Sequence, residues 1–114
     1  MAYDEGLAQR LREGLADHDS VAPESVVEKR MFGGLAFMLQ GNMSCGVSGE
    51  VLMLRVGPAA YEEALARPHA RPMDFTGKPL RGFVYVDPPG FEADDDLAGW
   101  IELSVRFALS LPPK

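Results

Sequence analysis

The feature that most limits what this chain can become lies in residues 26–56, where apolar segments are separated by two-residue pairs that begin with glycine. Gly41-Asn42 divides Leu35–Gln40 from Met43–Ser48, and Gly49-Glu50 divides that segment from Val51–Val56. A two-residue link between strands needs positive φ, and glycine in first place suits a type II′ turn, so the spacing predicts two hairpins. Within Met43–Ser48, Met43, Cys45 and Val47 alternate with Ser44, Gly46 and Ser48, which gives a strand one apolar and one small, polar face. Leu35–Leu39 and Val51–Leu54 do not alternate, so these strands are expected to be covered on both faces, by helices or by a partner subunit. Val26–Phe32 is expected to precede them as a further strand, closed by Gly33-Gly34 as a tight turn or a bulge.

Helical patterns flank this meander. Leu7, Leu11 and Leu15 recur at intervals of four from Asp4 to Asp17, with Asp4 placed to cap the start. Gly57-Pro58 ends the strands, and Pro58 suits the first turn of a short helix running to Leu65. His69–Arg81 contains Pro72, Gly77 and Pro79 and reads as a loop with an irregular edge strand near Met73–Thr76. Phe83–Val86 is a firmer strand. Asp94-Asp95-Asp96 then opens a final helix, with Leu97, Trp100, Ile101, Val105, Ala108 and Leu109 on its apolar side. The order predicts an α+β fold: an antiparallel meander sheet of about five to six strands with N-terminal, middle and C-terminal helices. At 114 residues, the chain is expected to form a single domain over 1–114.

Composition removes several functional classes. One cysteine cannot form an internal disulfide, no Cys/His set suits zinc, and no stretch approaches a membrane span. The acidic N-terminus has no apolar signal core, so the expected location is cytoplasmic. Eleven Lys/Arg against seventeen Asp/Glu give a net charge of -6, which opposes direct binding to nucleic acid. The charge is uneven: residues 26–81 hold seven bases against five acids, while both flanking segments are acidic. A modest basic area favouring a small anion or an acidic partner could form there, against the plainer reading of a mixed solvated surface.

Arg30-Met31-Phe32-Gly33-Gly34, followed by Gly41-Asn42-Met43, resembles the TfoX N-terminal domain family, also called TfoX/Sxy-like proteins. The resemblance extends through Gly57-Pro58-Ala59-Ala60-Tyr61, Arg71–Gly77, Gly82–Val86 and the helix carrying Trp100, nearly the whole chain. It implies a small α+β domain related in shape to YjbR-like proteins, with no established catalytic residues and no cofactor. Named members of the family regulate competence for DNA uptake as coactivators and carry a second, C-terminal helical domain. Phe107–Lys114 is too short to supply that domain, so what the resemblance implies here is regulation through protein contacts, with a protein partner or a homodimer.

The candidate binding residues are Arg30, Phe32, Gly33, Gly34, Arg55, His69 and Arg71. Arg30 beside a Gly-Gly turn would offer a planar donor fork next to free backbone N–H groups, suited to a carboxylate or phosphate. The plainer alternative is an ion pair at the sheet edge. Gly33-Gly34 lacks the lysine and serine of a phosphate-binding loop. Cys45, between Met43 and Val47, is expected in the core with an inert thiol, and His18 is expected to cap the first helix. Asp94–Asp96 point in different directions along a helix and cannot converge on a metal. No catalytic or metal-ligating set is predicted. The leading reading is a non-catalytic interaction domain; a small-anion pocket or enzyme using Arg30, Arg55, His69 and Arg71, and a DNA-binding regulator, are the alternatives.

Overall fold

The computed structural model describes residues 3–74 and 77–114. Its helices are α1 (Glu5–Ala16), α2 (Tyr61–Leu65) and α3 (Asp94–Ser110), and its strands are β1 (Val26–Met31), β2 (Gly34–Leu39), β3 (Asn42–Ser48), β4 (Val51–Arg55), β5 (Ala70–Pro72) and β6 (Phe83–Val86). All strand pairs are antiparallel, in the order β1-β2-β3-β4-β6-β5. This is the expected α+β meander with its helices at both ends of the sequence. Asp4 caps α1 by accepting a hydrogen bond from the Leu7 amide at 3.1 Å.

The sheet separates two apolar layers. On one face Leu35, Phe37, Leu39, Cys45, Val47, Leu52, Leu54, Val84 and Val86 pack against Leu7, Leu11 and Leu15 of α1 and Leu97, Trp100, Ile101 and Val105 of α3. Each such side chain, fully buried, contributes about 1.5–3 kcal/mol against exposure. On the other face Ala36, Met38, Met43, Met53, Met73 and Tyr85 form a second, smaller cluster, bordered by Met31, Phe32, Val51, Leu80 and Phe83. The expectation of strands covered on both faces therefore holds, but the second cover is not a helix. Met73 and Leu80 come from the segment between β5 and β6, tied to itself by the Leu80 N–H to Met73 C=O bond at 2.9 Å.

Turn chemistry departs from the sequence reading in two places. The β2–β3 turn is Gln40-Gly41, with φ of 54° and 85°, because Asn42 belongs to the strand and is buried with its side-chain amide donating to the Pro112 carbonyl at 3.0 Å. Two positive φ values make this a type I′ turn, not type II′. The β1–β2 turn is likewise Phe32-Gly33, at 54° and 74°, with Gly34 already opposite Met31 in the ladder. Gly49-Glu50 turns as expected, with Gly49 at 57° and Ser48 opposite Val51.

A bulge explains a third departure. Phe37 pairs with Cys45 and Met38 with Met43, leaving Ser44 as the extra residue of β3. The inserted residue swaps the face beyond it, so Met43 joins the methionine cluster while Cys45 and Val47 face the helices. Ser44 turns inward and donates to Ser104 Oγ of α3 at 3.0 Å, and Ser104 donates to the Ile101 carbonyl at 2.9 Å. The remaining differences are positional. α2 begins at Tyr61, after Pro58, and the edge strand lies at Ala70–Pro72, one step before the expected Met73–Thr76. Phe75 and Thr76 lie outside the described residues. His18, expected to interact with the helix dipole, instead bonds Glu102 Oε1 through Nε2 at 2.7 Å while Nδ1 accepts from the Ser20 amide.

Candidate functional site

The seven candidate residues divide among four places. Arg30, on β1 opposite Leu35, faces the helix side at one edge of the sheet. Arg71, on β5 opposite Tyr85, faces the methionine side at the other edge. Five strand spacings separate them, about 24 Å along the sheet at about 4.8 Å each. Arg30 is exposed and, among the described residues, makes no ion pair, so the edge carboxylate expected for it is absent there. Gly34 has a packing reason: a Cβ there would run into the Val47 carbonyl oxygen of β3. Gly33 supplies the positive φ of the turn.

Phe32 and Arg55, far apart in sequence, meet on one side chain. Phe83 stands opposite Arg55 in the β4–β6 ladder, so both side chains share a face. The Arg55 guanidinium carbon lies 5.4 Å from the Phe83 ring centroid and 5.2 Å from that of Phe107 on α3. Phe32 meets Phe83 edge to face, with centroids 6.3 Å apart, and its carbonyl accepts from Ser48 Oγ. Phe107 can approach because residue 57 is glycine; at φ 87° and against the Phe107 ring, no side chain fits. The result is an arginine whose guanidinium contacts two half-buried rings, with a third aromatic bracing one of them. Cation–π contacts of this kind contribute about 0.5–1 kcal/mol each when exposed, and more when desolvated.

The same device recurs beside it. Arg71 lies 4.9 Å from the Tyr85 ring and also bonds Asp87 at 3.2 Å; Arg67 lies 4.9 Å from Trp100, and Arg81 5.8 Å from Tyr61. Five of the eight arginines pair with carboxylates: Arg10, Arg12, Arg67, Arg71 and Arg106. Arg30, Arg55 and Arg81 have no such partner among the described residues. Sequence reasoning found Arg55 but missed Phe83 and Phe107 as its setting. Alternation in β6, which sends Val84 and Val86 to the helices, was the signal that Phe83 and Tyr85 face the other way.

His69, at φ 69°, borders a cavity of about 360 Å³ with Arg67, Trp100, Gly90, Asp95 and Asp96. Two carboxylates at its rim oppose the anionic ligand expected of a basic pocket, and neither Arg30 nor Arg55 lines it. Elsewhere the ionisable groups serve structure. Burial pushes the Cys45 thiol up to about 12, against weaker opposing hydrogen bonds from Ser44 and Ser104. The His18 bond holds the Glu102 carboxyl below its ordinary value, and the Arg12 bond does the same for Glu28. Burial, then the Asp74 charge, raise Tyr85 against the pull of Arg71. Among the described residues no three His, Cys, Asp or Glu side chains gather to hold a metal, and no helix is long and apolar enough to cross a membrane.

Among known protein families, the model described as TfoX N-terminal domain aligns with residues 20–108. No curated protein and no solved structure matches the chain.

Proposed function

The chain belongs to the TfoX N-terminal domain family, and from that premise we propose that it acts as one regulatory domain that binds another protein in the cytoplasm and catalyses nothing itself. The observation that carries the reading is Arg55, held between Phe83 and Phe107 with no carboxylate of its own among the described residues. Arginine and large aromatics are the residues that dominate protein interfaces, because they offer wide contact area in a fixed geometry. An acidic segment of a partner would complete the guanidinium. The family's role in competence supports regulation as the setting, and the net charge of -6 favours a protein partner over DNA. The small-anion alternative would need Arg30 and Arg71 in one pocket, and they stand at opposite sheet edges.

Capture from an extract of the source cells, read by mass spectrometry, tests this. The wild-type protein should retain a partner that Arg55→Glu loses, with both proteins giving the same circular dichroism spectrum. An identical set of captured proteins from the two would overturn the reading. A thermal-shift screen with anionic metabolites should leave the melting temperature unmoved; a clear stabilisation would favour the small-ligand alternative instead.

A further inference from the structure

The two edges of the sheet are treated differently. β5 is three residues long and ends in Pro72, which suits an edge that must not pair further. β1 is six residues long, contains no proline, and is half or fully exposed throughout. It also carries Val27, which at 51% exposure is the large hydrophobic side chain left in solvent among the described residues.

The hairpin fixes which groups of β1 are free. Because Phe32-Gly33 is a two-residue turn, Met31 and Gly34 exchange backbone hydrogen bonds, and so do Lys29 with Ala36 and Val27 with Met38. The Gln40 N–H to Ser25 C=O bond continues the same phase. The N–H and C=O groups of Val26, Glu28 and Arg30 therefore point out of the sheet. An added antiparallel strand must use these groups, and a second copy related by a two-fold axis must place residues of like facing opposite one another.

That leaves few registers: centring the axis on Val27 keeps only Val26–Glu28 of β1 in the ladder, and charge separates the rest. Centring the axis on Glu28 opposes two glutamates, and centring it on Arg30 opposes two arginines. Centring it on Lys29 sets Glu28 against Arg30 of the second copy, twice, and on the other face sets Val27 against Met31, also twice. We infer that β1 is a self-pairing edge, through which two copies join antiparallel about Lys29 and extend the sheet across both. Arg30, which has no carboxylate within its own chain among the described residues, gains a share of the second copy's Glu28, whose remaining lone pairs lie beyond its bonds to Arg12. The two Lys29 side chains meet on the axis and keep the association weak. This surface adjoins the one around Arg55 at Phe32, but the two readings are tested by different substitutions, so either can fail alone.

Sedimentation velocity from micromolar to near-millimolar protein tests it. The wild-type chain should show a concentration-dependent monomer–dimer equilibrium. Arg30→Glu should weaken it about tenfold or more by turning both ion pairs into repulsions, while Lys29→Thr should strengthen it about threefold. Arg30→Glu mixed with Glu28→Arg should form heterodimers that neither variant forms alone, since each chain then offers the charges the other lacks. Arg55→Glu should dimerise as the wild type does. A wild type that stays monomeric at the highest concentration, or a dimer indifferent to Arg30→Glu and Lys29→Thr, would overturn the inference.

Discussion

Phe32 and Gln40 both sit at φ 54° in type I′ turns, where most side chains cost about 1 kcal/mol more than glycine, or than asparagine with its short polar group. The two tolerate this for different reasons. Phe32 is held by its ring on Phe83 and by the Ser48 hydroxyl on its carbonyl. The Gln40 side chain is exposed, and its backbone accepts from the Lys114 amide and donates to the Ser25 carbonyl. Gln40→Asn should therefore stabilise the protein by about 0.5–1 kcal/mol, measured as a raised urea midpoint with unchanged slope. The same change at Phe32 should lower the midpoint, since the aromatic contact outweighs the relief of strain. Neither strained residue was visible in the sequence as such, because the Gly-first pairs fit a type II′ turn equally well until Asn42 is seen buried in the strand.

At the scale of elements, the Ser44 bulge and α3 are fitted to each other by one pair of hydroxyls. Ser104 keeps its bond to the Ile101 carbonyl if Ser44 is lost, whereas Ser44 loses its acceptor if Ser104 is lost. Ser104→Ala should accordingly cost about 1–3 kcal/mol, more than Ser44→Ala, and the double variant should recover part of the loss. Chemical denaturation of the three proteins checks that ordering. The hairpins and all three helices were legible because each is encoded within a few neighbouring residues: Asp4 before Leu7, Gly49 between two apolar runs, Asp94–Asp96 before Leu97. The bulge was not, since the alternation of Met43, Cys45 and Val47 reads as an unbroken strand and only the partner β2 reveals the extra residue. The aromatic setting of Arg55 was hidden for the same reason, being assembled from β1–β2, β4, β6 and α3.

For the molecule as a whole, charge is both a surface property and a tether. Arg12 and Glu28 clasp α1 to β1 with bonds of 2.6 and 2.9 Å, and His18 and Glu102 clasp the end of α1 to α3. Both glutamates titrate below the ordinary value of 4.5 in the folded chain. Their contribution is thus complete above about pH 4.5 and drains away as the pH falls through the lowered values. Arg12→Ala should flatten the acid side of the stability curve below that point and leave the slope near neutrality unchanged, as thermal melts across pH would show. With Arg12 and Glu28 side chains 35% and 37% exposed, the effect should not exceed about 1 kcal/mol.

Placing α3 over the sheet also sets a timetable. The ribosome delivers α1 and β1–β4 before α3, so Phe37, Leu39, Leu52 and Leu54 leave the exit tunnel with only α1 to cover them. Nascent chains stalled between Phe83 and Asp94 are therefore the form of this protein in greatest need of a chaperone.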